Sequence, residues 1–269
     1  MQKIINLIRP EESDVNFNII VFPDGEPHII LGEIDRKCSF KVICRITNPT
    51  DLFIIAQVGD ILNRQGVLFT ISIKYLMSMR MDRVMSFNEA YSLRIVMRIL
   101  KATGAKGIYV LEPHNKMAIL DNGGIVTPAN KPDLLEYLPV FPDKGAFERY
   151  RYSFGDAIIC SKVRDTSTGK LTGFSIDNPE LFKSIPDKPL MVIDDLCDGG
   201  GTFAGIAELL EKECPDRPRS IYVTHAVNAR GIENMSKHYN KVYITDSYKD
   251  WQLEELPENV TVIEIGKWI

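Results

Sequence analysis

The sequence predicts an α/β protein, because strand-like and helix-like segments alternate along most of its 269 residues. Apolar runs such as residues 190–193 have the uninterrupted hydrophobicity of strands that are buried on both faces of a parallel sheet. Other segments, such as residues 52–64, repeat apolar residues at helical spacing. A chain of this length can form one large domain or two modest ones, each with a buried core.

The composition argues against several classes of function. The formal net charge is −4 and the sequence has no run of basic residues, so nucleic acid is not expected as a main partner. No apolar run approaches the roughly 20 residues of a membrane span, and the first residues do not resemble a secretory signal. The 5 cysteines lack the spacing of a metal site and are typical of reduced thiols. We therefore expect a cytoplasmic protein with no membrane partner.

The most informative stretch is a predicted strand, an acidic turn, a glycine loop and a predicted helix over residues 203–212. Glycines let a phosphate approach backbone N–H groups, and a helix N-terminus adds free donors and a partial positive charge. Carboxylates would repel that phosphate, but they can accept hydrogen bonds from sugar hydroxyls or hold a divalent ion. The pattern therefore predicts a site for a phosphorylated ribose, with Thr202 as the helix cap. Its residues are Asp194, Asp195, Asp198, Gly199, Gly200, Gly201 and Thr202.

Residues 192–202 resemble a known motif. Their sequence is Val-Ile-Asp-Asp-Leu-Cys-Asp-Gly-Gly-Gly-Thr. That motif is the ribose-phosphate-binding motif of type I phosphoribosyltransferases and of ribose-phosphate diphosphokinases, which make phosphoribosyl pyrophosphate (PRPP). The resemblance implies two tandem phosphoribosyltransferase-like domains, each with a mostly parallel sheet flanked by helices. Residues 115–138 read as irregular, which places the boundary near residue 130. We expect an ATP-side domain over residues 1–130 and a ribose-phosphate domain over residues 131–269.

In the N-terminal half, the first family match is a turn between predicted strands at residues 18–22 and 28–34. Phe22, Asp24 and Glu26 belong to a Phe-Pro-Asp-Gly-Glu sequence that resembles the Phe-Ser-Asp-Gly-Glu loop of the diphosphokinases. Taken alone, the segment is a plain hairpin. The resemblance implies that this loop reaches a neighbouring subunit and holds the adenine of ATP, and hence a homo-oligomer with a shared ATP site.

The next matches follow predicted strands at residues 67–75 and 106–111. Arg80, Asp82 and Arg83 are either a surface charge cluster or, by resemblance, residues along the ATP site, where arginine binds phosphate oxygens in bidentate fashion. Ser86 and Glu89 form a capping-box pattern that predicts a helix over residues 87–102. His114 lies at a strand end, where open α/β sheets bind ligands, and the resemblance implies that it is a magnesium ligand.

In the C-terminal half, Asp143 matches an aspartate that the family places near the metal and the ribose, within a Pro-Asp-X-Gly-X-X-X-Arg motif. Lys162 and Arg164 follow a predicted strand at residues 157–161 and precede a polar loop at residues 165–173. Two cations there are either solvated or, by resemblance, part of a catalytic loop over the triphosphate. The prediction is completed by strands at residues 219–224 and near Val242 and Val260, and by a helix at residues 229–239.

The resemblance implies that the diphosphate of ATP is transferred, with Mg²⁺, to the C1 hydroxyl of a 5-phosphorylated ribose, and that AMP leaves. Catalytic roles then fall to Lys162, Arg164, His114 and Arg80. Gly199 stands where the family has a threonine, which opens space for a 5-phosphate that continues as a diphosphate. The acceptor is therefore ribose 5-phosphate, giving PRPP, or ADP-ribose, giving ADP-ribose pyrophosphate for NAD synthesis, as made by phage relatives. A PRPP-using phosphoribosyltransferase and a non-catalytic regulator are the alternatives.

Overall fold

A computed structural model describes residues 1–129, 131–151, 155–164, 171–184 and 188–266. These residues form two units: the first comprises residues 1–129 together with residue 266, and the second comprises residues 131–265. Each unit has a sheet with helices packed on it, and each has its own buried apolar core. The predicted α/β class is therefore confirmed. None of the described helices is long and apolar enough to cross a membrane.

The first unit is built on a parallel sheet with strand order β1-β4-β5-β6-β7. Its first helix begins with a complete capping box, in which Asn48 and Asp51 bind each other's backbone N–H groups. Its elements are β1 (Gln2–Asn6), β2 (Phe17–Val21), β3 (Pro27–Leu31), β4 (Ser39–Ile46), α1 (Pro49–Arg64), β5 (Phe69–Leu76), α2 (Ser92–Ala102), β6 (Ile108–Leu111), α3 (Lys116–Asp121) and β7 (Ile125–Thr127).

The second unit contains the longer sheet, with strand order β10-β9-β8-β11-β12-β13-β14. Strand β10 pairs antiparallel with β9, and the other described pairs are parallel. Its elements are β8 (Leu138–Phe141), α4 (Lys144–Tyr150), β9 (Ile158–Arg164), β10 (Leu171–Ile176), α5 (Leu181–Ser184), β11 (Leu190–Cys197), α6 (Gly201–Glu213), β12 (Arg219–Ala226), α7 (Ala229–His238), β13 (Lys241–Thr245) and β14 (Val260–Ile263).

Three local predictions are wrong. Helix α2 begins at Ser92 rather than at residue 87, although Glu89 accepts hydrogen bonds from the Met85 and Ser86 N–H groups as a capping residue would. Phe87 is fully exposed, so no apolar packing holds an earlier turn in helical form. Residues 115–138 are not irregular throughout, because they include α3 and β7. The polar loop is shorter than predicted, because β10 begins at Leu171, and residues 165–170 lie outside the described part of the chain.

Candidate active site

The two aspartates of the predicted ribose site lie within strand β11, which continues past the apolar run to Cys197. Arg149, the penultimate residue of α4, reaches them both. Its Nη1 is 2.9 Å from Asp194 Oδ1 and 2.6 Å from Asp195 Oδ1. The Arg149 side chain is 7% exposed, so this ion pair is largely desolvated. Two carboxylates therefore share one guanidinium.

The pKa of Asp194 reflects this crowding. Burial raises it well above the ordinary value of an aspartate, the neighbouring charge of Asp195 raises it further, and Arg149 acts in the opposite direction. Asp195 is the more deeply buried of the two, at 1% exposure. Asp194 is therefore the carboxylate with access to a ligand, and Asp195 chiefly holds Arg149.

Removing the arginine should leave two buried carboxylates without a counter-charge. We expect Arg149→Met to lower the free energy of unfolding by about 3–5 kcal/mol, the usual effect of breaking a buried ion pair. The matched control is Arg151→Met, because Arg151 pairs with Glu148 on the surface, and both side chains are exposed. Such pairs contribute about 0–1 kcal/mol. Urea unfolding of both variants measures the difference, and equal stabilities would contradict the assigned role of Arg149.

The glycine loop follows β11 directly and leads into helix α6, whose N-cap is Gly200 with φ +75°. The prediction that Thr202 caps this helix is wrong, because the helix begins at Gly201 and Thr202 lies in its first turn. The backbone itself turns the chain at a left-handed position that glycine adopts readily. The first N–H groups of α6 are thus available to an anion. A Cβ atom at Gly199 or Gly201 would meet no atom within 4 Å, so the loop is open there.

Cys197, the last residue of β11, is buried. Burial raises the pKa of its thiol to about 12, and nearby carboxylates add to this effect. The thiol therefore stays protonated and does not serve as a nucleophile at neutral pH.

Asp143 and Lys162 belong to the part of the sheet next to β11, in which β8 neighbours β11 and β9 neighbours β8. Asp143 follows β8 and caps α4, since its Oδ1 accepts a hydrogen bond of 3.0 Å from the Ala146 N–H. Lys162, on β9, places its Nζ 3.7 Å from Asp143 Oδ2. Helix α4 therefore connects the two groups, because its N-cap contacts Lys162 and its last turn carries Arg149. The Arg164 side chain lies outside the described residues.

In the first unit, Arg80, Asp82 and His114 follow the neighbouring strands β5 and β6. The Asn115 amide links the two segments, because its Nδ2 donates a hydrogen bond of 2.6 Å to Asp82 Oδ2. Asp82 is buried and also lies 3.3 Å from Arg83 Nε, so its oxygens have partners within the protein. These residues therefore gather at the carboxyl edge of the sheet, where open α/β proteins bind ligands.

Glu112, at the end of β6, has an unusual backbone conformation. It is buried with φ +35°, in a region that non-glycine residues rarely occupy. Such strained positions are frequent at ligand sites. The strain therefore supports a functional role for the strand end that bears His114.

The turn of residues 22–26 connects β2 and β3, as the hairpin pattern predicts. Its chain reversal is fixed by a hydrogen bond from the Phe22 N–H to the Glu26 carbonyl, at 2.9 Å, and Gly25 has φ +91°. Asp24 Oδ1 accepts a hydrogen bond of 3.1 Å from the Glu26 N–H. Phe22 is 45% exposed, and its ring centroid lies 6.3 Å from that of His28.

The described residues contain no group of three or more His, Cys, Asp or Glu side chains placed to hold a metal ion. Proteins bind Mg²⁺ in two modes, either in a cage of protein ligands or on a few groups that share the ion with a substrate. Magnesium is commonly held by one or two carboxylates together with substrate phosphates and water. The half-exposed carboxylate of Asp143 suits that second mode.

Comparison with known proteins agrees with this geometry. The "Ribose-phosphate pyrophosphokinase" of Pyrococcus abyssi is 28% identical over 268 residues, which are 95% of this chain and 89% of the relative. That of Sulfolobus acidocaldarius is 25% identical over 93% of this chain and 88% of its own length. This chain is similar in sequence to the ribose-phosphate pyrophosphokinases. The resemblance drawn from the motifs is thereby confirmed, although no protein-family model matches the chain.

The fold comparison points the same way. The crystal structure of phosphoribosylpyrophosphate synthetase from Mycobacterium smegmatis superposes with a TM-score of 0.81. The superposition covers 98% of this chain and 94% of that chain, at 20% sequence identity. The predicted fold is therefore confirmed.

Arg149 is the site residue to which sequence reasoning assigned no role. The sequence did contain a pattern that includes this residue. Arg149 is the arginine of the Pro-Asp-X-Gly-X-X-X-Arg motif by which Asp143 was identified. It lies in α4, whose N-cap is Asp143, and the helix carries it back to β11. Sequence spacing alone does not show that contact.

Proposed function

We propose that this protein transfers the diphosphate of ATP to the C1 hydroxyl of a 5-phosphorylated ribose and releases AMP. The observation that carries the proposal is the carboxylate pair of Asp194 and Asp195, fixed by Arg149 immediately before an open glycine loop. One chain segment thus carries two neighbouring sets of groups. The acids can hold sugar hydroxyls, and the N–H groups can hold a phosphate. The relatives named ribose-phosphate pyrophosphokinase support the same reaction.

The acceptor is held by the second unit in this proposal. The N–H groups of Gly201 and Thr202, at the start of α6, receive the 5-phosphate. Asp194 accepts hydrogen bonds from the ribose hydroxyls, and Asp198 and Gly199 border the loop. Orienting the C1 hydroxyl in this way supplies much of the rate, because phosphoryl transfer depends on positioning and charge more than on a strong base.

The donor is ATP, bound as its magnesium complex. By resemblance, His114 of the first unit is a magnesium ligand, and Asp143 of the second unit lies near the metal and the ribose. Lys162 and Arg164 stabilise the charge that develops on the transferring group, and Arg80 neutralises the triphosphate. By resemblance, Asp82 and Arg83 lie along the ATP site. Phe22, Asp24 and Glu26 recognise adenine, in a homo-oligomer that shares this site.

The openness of the loop favours a larger acceptor alongside ribose 5-phosphate. A side chain at Gly199 would project into free space, and the family places a threonine there. Without it, the 5-phosphate has room to continue as a diphosphate, as in ADP-ribose. The product would then be ADP-ribose pyrophosphate, and the enzyme would belong to NAD synthesis.

Incubation of the full chain with Mg-ATP and each acceptor separately, with products identified by mass, tests the proposal. AMP and PRPP from ribose 5-phosphate, or AMP and ADP-ribose pyrophosphate from ADP-ribose, would support it. Absence of AMP with both acceptors would overturn it and favour a regulator, whereas consumption of PRPP with a base would favour a phosphoribosyltransferase.

The raised pKa of Asp194 leads to a stability prediction. Because the folded protein disfavours its ionised form, wild-type stability should fall as the pH rises through the folded-state pKa. Asp194→Asn should therefore raise the unfolding temperature at pH 8, and the gain should shrink at low pH, where Asp194 is protonated too. The same variant should raise the acceptor KM by about 10- to 100-fold, as expected for a lost hydrogen bond to a charged group.

Differential scanning calorimetry across pH, with acceptor kinetics, measures both effects. Asp216→Asn, at an exposed position after α6, is the control that changes the same charge away from the site. A lower unfolding temperature for Asp194→Asn at pH 8 would contradict the assigned electrostatics.

A further inference from the structure

Helix α7 packs against the glycine loop more closely than any side chain would allow. A Cβ atom at Gly231 would lie 1.9 Å from the Asp198 carbonyl oxygen and 3.0 Å from the Cys197 sulfur. Ordinary Cβ contacts rarely come below 3.0 Å, so the backbone of α7 touches the backbone of the loop. Only glycine permits this approach.

A second contact holds the same loop from α7. Asn234 Nδ2 donates a hydrogen bond of 3.2 Å to the Gly199 carbonyl oxygen. The N–H of the same peptide, at Gly200, interacts with the Cys197 sulfur and lowers the pKa of that thiol against the larger effect of burial. Because a peptide unit is planar, contacts at both of its ends fix its orientation.

The loop therefore has one packed side and one open side. On the packed side, a Cβ at Gly200 would meet the Gly231 carbonyl oxygen at 3.0 Å and the Asn234 Cβ at 3.2 Å. On the other, Cβ atoms at Gly199 and Gly201 would meet nothing within 4 Å. A substrate would therefore approach from the open side, with Gly231 and Asn234 on the opposite side of the loop.

We propose that Gly231 and Asn234 are positioning residues that set the orientation of the phosphate loop before substrate binds. This inference rests on the proposed function, since it takes the open side of the loop as the phosphate site. The contacts from α7 hold the peptide between Gly199 and Gly200 on its packed side. The Gly199 carbonyl therefore stays directed toward α7 and not toward the incoming anion. The loop then loses little conformational entropy on binding, which strengthens acceptor binding without adding a contact.

Two variants separate this role from a general effect on folding. Asn234→Ala removes the donor to Gly199 and should raise the acceptor KM about fivefold, the usual effect of one neutral hydrogen bond, with kcat and the ATP KM little changed. Gly231→Ala forces the loop and α7 apart and should lower kcat/KM for the acceptor about a hundredfold, as displacements near 1 Å do. Glu233→Ala, on an exposed position of the same helix, should match the wild type.

Hydrogen–deuterium exchange of the loop, measured by mass spectrometry without ligand, gives a readout that does not need turnover. In Asn234→Ala, peptides spanning residues 194–203 should exchange faster, while those from β12 and β13 should not change. Unchanged loop exchange, or a fall in kcat with no change in acceptor KM, would overturn the positioning role.

Calorimetric titration with ribose 5-phosphate and with ADP-ribose separates the two proposals. If the wild type binds an acceptor but releases no AMP, the proposed reaction fails, and weaker acceptor binding by Asn234→Ala would still support the positioning role. If the wild type binds neither acceptor, the loop is not a phosphate site, and both proposals are wrong.

Discussion

Replacing Lys162 by alanine is expected to lower the kcat of AMP release by about a thousandfold, the range found when a cation that stabilises transferring phosphate is removed. The expected loss is in kcat rather than in acceptor KM, because charge on the transferring group develops in the transition state. Stability should hardly change. Lys162 pairs with Asp143 at 3.7 Å, and both side chains are partly exposed, so their ion pair contributes little.

Lys241→Ala is the matched control for this substitution. Lys241 is an exposed lysine at the start of β13, the end of the strand opposite to that from which parallel sheets bind ligands. The two variants lose the same charge, so only Lys162→Ala should lose turnover in a steady-state assay of AMP release. We expect a comparable loss for Arg164→Ala. Full turnover in either catalytic-loop variant would contradict its assignment.

Restoring a threonine at position 199 is expected to change which acceptor the protein prefers. Gly199 lies outside the left-handed region, and a Cβ there meets no neighbour, so Gly199→Thr should fold normally. The new side chain would occupy the space into which a diphosphate continues. We expect the ratio of kcat/KM for ADP-ribose to that for ribose 5-phosphate to fall at least about tenfold, as steric exclusion of a bound group commonly does.

Competition between the two acceptors in one reaction, with both products quantified by mass, measures that ratio. Gly155→Thr is the control, because a Cβ at this exposed glycine also meets nothing within 4 Å. A ratio that is unchanged in Gly199→Thr would show that the glycine does not determine the acceptor, and ribose 5-phosphate alone would then be the simpler assignment.

The parts of the fold that follow from local chemistry were predicted well. The buried strand at residue 190 could be predicted because parallel strands are apolar on both faces, and the turn of residues 22–26 because Asp-Gly favours a tight reversal. The same kind of reasoning was wrong for α2. A capping pattern predicts where a helix can begin, but tertiary packing decides whether it does, and Phe87 finds no packing partner.

The sequence predicted which residue types form the site, but not which residues contact one another there. A carboxylate pair before a glycine loop is visible in the sequence, whereas the arginine that neutralises it lies 45 residues earlier and reaches it through α4. The approach of Gly231 to the loop is equally hidden, because a glycine inside a helix has no distinctive sequence signal when its partner is another backbone. Long-range contacts of this kind depend on the packing of whole elements.

The most direct test of the central claim is the identity of the nucleotide released from Mg-ATP in the presence of acceptor. Transfer of an intact diphosphate to the C1 hydroxyl predicts AMP, formed in equal amount to a product that carries two new phosphates, and no ADP. Release of ADP with a singly phosphorylated product would contradict this claim, because the protein would then be a kinase of the ordinary type and would not transfer a diphosphate.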